Sequence, residues 1–136
     1  AYPGFSLYHA SKWGIEGFVE AVAQEVAPFG IAFTLVEPGP AATDFGRGLD
    51  RTAPSATYAG TPVDALRRAL DEGRFVLGDA HKIVRGMLAS LDVSPAPRRL
   101  LLGARAYAQV RTALQQRLAE LDAQRAIALS TEMDAA

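Results

Sequence analysis

Residues 6–43, SLYHASKWGIEGFVEAVAQEVAPFGIAFTLVEPGPAAT, decide the fold. Ala, Glu and Gln favour a helix from Ser6 to Ala27, and Pro28 with Gly30 ends it. Its apolar residues Trp13, Ile15, Phe18, Val19, Val22 and Val26 spread beyond one stripe, which predicts packing on two sides. Gly14 and Gly17 each cost about 1 kcal/mol in a helix interior relative to Ala. Their presence predicts close approach of a neighbouring backbone. After the glycine turn, Ile31 to Val36 (IAFTLV) is a short, apolar, β-branched run, the pattern of a buried parallel strand. Glu37 to Gly48 follows, rich in Gly and Pro, and is loop.

Downstream the pattern repeats. Pro62 suits the first turn of a helix over Val63 to Leu70, with Thr61 as its N-cap. Gly78 or Asp79 opens another helix through about Leu91, with Ile83, Val84, Met87, Leu88 and Leu91 on one face. Ser94, Pro95 and Pro97 break it, and Arg99 to Gly103 (RLLLG) is a second short buried strand. Ala104 to about Leu129 is one long helix. Its stripe of Tyr107, Val110, Leu114, Leu118 and Leu121 predicts core packing, or a surface for a partner helix. Ser130 to Ala136 is a frayed end.

Helix, strand, loop, short helices, strand, helix is an α/β order with parallel strands. Two strands cannot by themselves make a stable parallel sheet, which needs more neighbours and helices on both faces. The expected architecture is therefore the C-terminal part of a doubly wound parallel sheet, residues 1–136 being half of one domain. The chain opens in a loop with no initiating Met, which fits a piece of a longer protein.

Composition narrows the function classes. Hydrophobic residues make up 49% and charged residues 21%, as in globular domains, and the net charge is −1. That charge offers no long-range attraction for nucleic acid or anionic lipid, so neither is an expected partner. No cysteine is present, so disulfides, thiolate metal sites and Cys nucleophiles are excluded, in keeping with a cytoplasmic location. No apolar run approaches the roughly 20 residues that span a bilayer. His9 and His81 stand far apart without a ligand pattern around them, so no metal is expected.

The chemistry lies at the start of the first helix. Tyr8 and Lys12 are four residues apart and share a helix face, so a phenol and an ammonium can point into one site. A free tyrosine ionises only near pH 10, and an adjacent positive charge favours the phenolate. Such a pair can act as a general acid and base, although the same spacing also arises in any amphipathic helix start.

The wider context carries more weight. Tyr8-His9-Ala10-Ser11-Lys12 opens a helix, a buried strand follows, and the strand ends in Glu37-Pro38-Gly39-Pro40-Ala41-Ala42-Thr43. In order and intervening length this resembles the short-chain dehydrogenase/reductase family. The resemblance implies a Rossmann-like fold and an oxidoreductase moving hydride between NAD or NADP and a carbonyl or alcohol. By the same resemblance Tyr8 would donate or take the proton. Lys12 would hydrogen-bond the nicotinamide ribose and keep its charge beside the phenol. Pro38 and Gly39 would pass the backbone close to the nicotinamide, and Thr43 would offer its hydroxyl to the cofactor. Residues 44 to 77 would form the substrate loop, with Phe45, Leu49 and Tyr58 either facing substrate or packing the loop down. The family's catalytic serine and its Gly-rich phosphate-binding turn have no counterpart in residues 1–136. The isolated chain is thus expected to be inactive, and its full-length parent a homo-oligomer. The alternative is a non-catalytic fragment that only self-associates through its helices. Asp44 is expected to be a loop cap, and Arg98 and Arg99 to be solvated.

Overall fold

The computed structural model describes residues 1–132. Helix α1 (Ser6–Val26) is followed by strand β1 (Leu35–Pro38), helices α2 (Pro62–Asp71) and α3 (Ala80–Ala89), strand β2 (Arg99–Leu102), and helices α4 (Ala104–Ala123) and α5 (Arg125–Leu129). The two strands pair in parallel, Leu35 opposite Arg99 through Pro38 opposite Leu102. Alternation along β2 sends Arg99 and Leu101 to one face and Leu100 and Leu102 to the other. Arg99 reaches Glu16 and Glu20 of α1, and Leu101 borders a groove with Tyr107, Val110 and Leu114 of α4. On the opposite face α3 packs so closely that a Cβ at Gly86 would lie 2.9 Å from Leu102 Cδ2. Helices therefore flank both faces of a parallel sheet, the doubly wound α/β arrangement.

Several expected boundaries move, for identifiable reasons. The first strand begins at Leu35 instead of Ile31 and runs on to Pro38. Its partner decides this: β2 is four residues long and starts only after Pro95 and Pro97. Ladder bonds accordingly run from Leu35 N to Arg98 O (2.9 Å) up to Gly39 N to Leu102 O (2.8 Å). Gly103 ends β2 because it adopts φ +114°, which glycine tolerates and other residues rarely do. Asp79 is the N-cap of α3, accepting from His81 N at 2.8 Å and Lys82 N at 3.1 Å, and these bonds hold its carboxyl below the usual aspartate range. Thr61 does not cap α2 with its side chain. Its hydroxyl donates to Tyr58 O at 2.7 Å, and Asp64 instead reaches back to Gly60 N at 2.9 Å. The long C-terminal helix is interrupted at Gln124, whose amide bonds Leu121 O at 3.0 Å. Of the expected frayed end, Thr131 still bonds back to Ala128 O, and residues 133–136 lie outside the described residues.

Packing is far thinner than the sequence predicts. Among the described residues, only Val19 and Ala23 of the hydrophobic side chains are buried. The α4 stripe expected in a core is open: Tyr107, Leu114, Leu118 and Leu121 are each more than half exposed. Gly14 and Gly17 meet no neighbouring element: beyond their chain neighbours and their own helix backbone, no atom of the described residues lies within 4 Å of a Cβ built on either. Accessible surface totals 10941 Å², whereas a compact monomer of 14.5 kDa exposes about 6,900 Å². Apolar faces on this scale need a cover. The isolated chain is expected to aggregate or bind hydrophobic dyes, and to melt without a sharp cooperative transition. A single steep calorimetric transition of a monomer would contradict this.

Candidate active site

Helix α1 has no side-chain N-cap, and its start is held by the preceding loop. Tyr2 N donates to His9 Nε2 at 2.8 Å, and the Tyr2 hydroxyl donates to Gln109 Oε1 of α4 at 2.8 Å. Tyr8 and Lys12 then fall one turn apart on the exposed side of the first turns. Lys12 Nζ lies 5.6 Å from the centroid of the Tyr8 ring. Ser11 donates its hydroxyl to Tyr8 O at 2.8 Å, a bond within the helix that leaves the phenol free.

The loop after the strand approaches the Tyr8 ring through Phe45. Beyond β1, the loop is pinned by Gly78, whose N–H donates to Pro40 O at 2.7 Å and whose carbonyl accepts from Ala42 N at 3.0 Å. This directs the chain so that Phe45 lies 6.2 Å from the Tyr8 ring, centroid to centroid. Thr43 Oγ1 accepts from Phe45 N at 3.4 Å, capping a short 3₁₀ turn from Asp44 to Gly48 and leaving the hydroxyl proton available. The cap expected of Asp44 is thus supplied by Thr43, because the threonine precedes the turn. Asp44 only meets Arg47, at 3.3 Å, with both side chains almost fully exposed. Gly39 has a packing reason of its own: a Cβ there would lie 3.2 Å from Ala106 Cβ of α4.

A cleft of about 390 Å³ adjoins Tyr8. Leu49 lines it as the sequence suggests for the loop, but Tyr58 does not. Val63, Leu66 and Leu70, inside the 44–77 segment expected to shape the pocket but not singled out there, line it too, as does Phe5, which sequence reasoning did not place at the site. The three- and four-residue spacing of Val63, Leu66 and Leu70 on α2 was the available signal.

Arg99 is exposed, as expected from its place before an apolar strand, but it is also ion-paired. Its guanidinium donates to Glu16 Oε2 (Nε at 3.0 Å, Nη2 at 2.7 Å) and to Glu20, and it lies 3.4 Å from Glu37 Oε1. One cation thereby joins α1, β1 and β2. It also occupies Glu16, the carboxylate one turn beyond Lys12, so among the described residues Lys12 forms no ion pair. Burial, then the nearby Glu16 charge, push the Glu37 carboxyl above the usual glutamate range, and Arg99 opposes this. A carboxyl raised in the fold favours its protonated form there, so its contribution to stability is present at low pH and lost as pH rises through the folded value. Arg99→Met leaves three carboxylates together and raises Glu37 further. In the full-length protein the variant is expected to lose about 0.2–1 kcal/mol near neutral pH, since Arg99 is solvent-screened. The deficit should shrink in urea melts as pH falls and Glu37 takes up a proton.

The family model described as short chain dehydrogenase matches residues 1–54. An oxidoreductase, calM, of Penicillium decumbens is 35% identical over 130 residues, covering 90% of this chain and 42% of that protein. Retinol dehydrogenase 8 of Bos taurus is 42% identical over 60 residues, 44% of this chain and 19% of that one. Among solved structures, a short-chain dehydrogenase from Streptomyces avermitilis superposes with a TM-score of 0.80 at 31% identity, covering 97% of this chain and 48% of that one. The chain spans less than half the length of each of these proteins. Among the described residues, no helix is long and apolar enough to cross a membrane.

Proposed function

The chain belongs to the short-chain dehydrogenase/reductase family, and on that premise we propose that it is the C-terminal half of an oxidoreductase acting between NAD or NADP and a carbonyl or alcohol. The observation that carries the reading is the approach of the loop beyond β1 to the Tyr8–Lys12 pair. Lys12 Nζ lies 5.6 Å from the centroid of the exposed Tyr8 ring, and Phe45, in the loop that runs on from Pro38–Thr43, lies 6.2 Å from it. The loop lies at a strand's carboxyl end, where open α/β sheets bind ligands.

The donor set suits the nicotinamide half of a dinucleotide. Among the described residues the Lys12 ammonium has no ion pair and can meet ribose hydroxyls, and Thr43 keeps a hydroxyl proton to donate. The dinucleotide supplies or accepts the hydride when bound. In reduction, the Tyr8 hydroxyl gives its proton to the carbonyl oxygen as the carbonyl carbon gains hydride, yielding the alcohol. In oxidation the phenolate takes the alcohol proton back. Lys12 holds positive charge beside the phenolate while it exists.

The uncovered apolar surface favours a second reading, a non-catalytic piece that self-associates. Full-length protein in a cytoplasmic homo-oligomer buries the same surface productively. The two readings separate by assay: carbonyl-dependent oxidation of NADH or NADPH by the full-length protein supports the enzyme, and its absence with a broad carbonyl panel rejects it.

A further inference from the structure

The cleft beside Tyr8, about 390 Å³ in volume, falls within the size range of small-molecule sites. Phe5, Leu49, Val63, Leu66 and Leu70 supply its apolar wall, and each is partly buried. Gly4 allows the N-terminal loop to close against α2: its φ is +78°, and a Cβ there would already touch Val63 Cγ1 at 3.4 Å. Charge at the cleft is balanced. Arg51, Arg67 and Asp50 line it, and Arg51 is bound by Asp71 at 2.7 Å. Arg67 Nη1 donates to Thr52 O at 2.7 Å. Two cations and two carboxylates sum to zero, so no net charge offsets the cost of desolvating an ionised substrate. Burial of apolar surface is the source of binding energy that remains.

Resting on the oxidoreductase reading above, we infer that the substrate is an aldehyde or ketone, or the corresponding alcohol, bearing an uncharged apolar chain or ring. Its reacting carbon sits at Tyr8, and its apolar part lies along α2 against Val63, Leu66 and Leu70. Tyr8 belongs to both the proton-transfer pair and the cleft wall, which places the two functions in one continuous space.

The test is a series of straight-chain aldehydes given to the full-length protein with NADH or NADPH. From about four to about nine carbons, kcat/KM is expected to rise about threefold to fourfold per methylene until the cleft is filled. Leu66→Asp is expected to flatten that rise, and the milder Leu66→Ala, which keeps the wall apolar, to lessen it. A flat series with measurable turnover would overturn the substrate class and leave the oxidoreductase reading standing. Preference for an aldehyde ending in a carboxylate over its methyl-ended counterpart of equal length would also overturn it, making Arg67 an anion anchor. An unchanged slope in both Leu66 variants would remove α2 from the site. No turnover of any member would overturn this inference and the reading beneath it together.

Discussion

Replacing Tyr8 with Phe in the full-length protein is expected to slow turnover about 10²- to 10⁴-fold, the usual worth of a general acid or base. The substitution deletes one hydroxyl and keeps the ring. Contacts of that ring with Phe45, 6.2 Å away, and with the edge-on Phe5, also at 6.2 Å, survive. The hydroxyl forms no hydrogen bond to another of the described residues, so no buried partner is orphaned by its loss. Thermal stability and dinucleotide affinity should therefore stay close to those of the unsubstituted protein. A fall in turnover with both of these preserved identifies proton transfer. Were Tyr8 only a packing residue, turnover per folded molecule would be unaffected. Single-turnover kinetics at saturating cofactor separate the outcomes, because they read the chemical step without product release.

Lys12→Met should act on two quantities at once. Methionine keeps a flexible chain of similar length without the ammonium, so the loss is one of charge and donors. Dinucleotide binding is expected to weaken about 10- to 100-fold, the worth of a charge-assisted hydrogen bond. The chemical step should slow as well, since the phenolate loses the positive charge beside it. Glu16, one turn on, is held by Arg99 at 2.7 Å, so removing Lys12 breaks no ion pair among the described residues. Global stability is accordingly expected to change little. Lys12→Arg should recover part of the binding but less of the rate, because the broad guanidinium cannot reproduce a compact ammonium. Equal effects of Met and Arg on both quantities would show that position 12 serves by shape, not charge. Cofactor titration by fluorescence and pre-steady-state rates would supply the two numbers.

Much of this architecture was legible one residue at a time, because local rules act along the chain. Pro28 and Gly30 ended α1 where proline and glycine must, Asp79 capped α3 through its own neighbours' amides, and the α/β order emerged from the alternation of periods. The Tyr8–Lys12 spacing likewise set both side chains on one face of α1, since a helix turn is a local geometry. What needed the folded chain was every relation between distant residues. β1 took its limits from a partner more than 60 positions away, and the Ile31–Thr34 run lost its place in the ladder because β2 is only four residues long. Arg99 gained three carboxylates that adjacent sequence could not announce, two from α1 and one from β1. Phe45 met Tyr8, and Val63, Leu66 and Leu70 became a cleft wall, only once Gly78 had pinned the loop beyond β1. The stripe on α4 was recognised as amphipathic from its period, but period says only that a face is apolar. Whether a face is buried depends on what other surface is present to meet it, and within this chain Leu114, Leu118 and Leu121 meet too little.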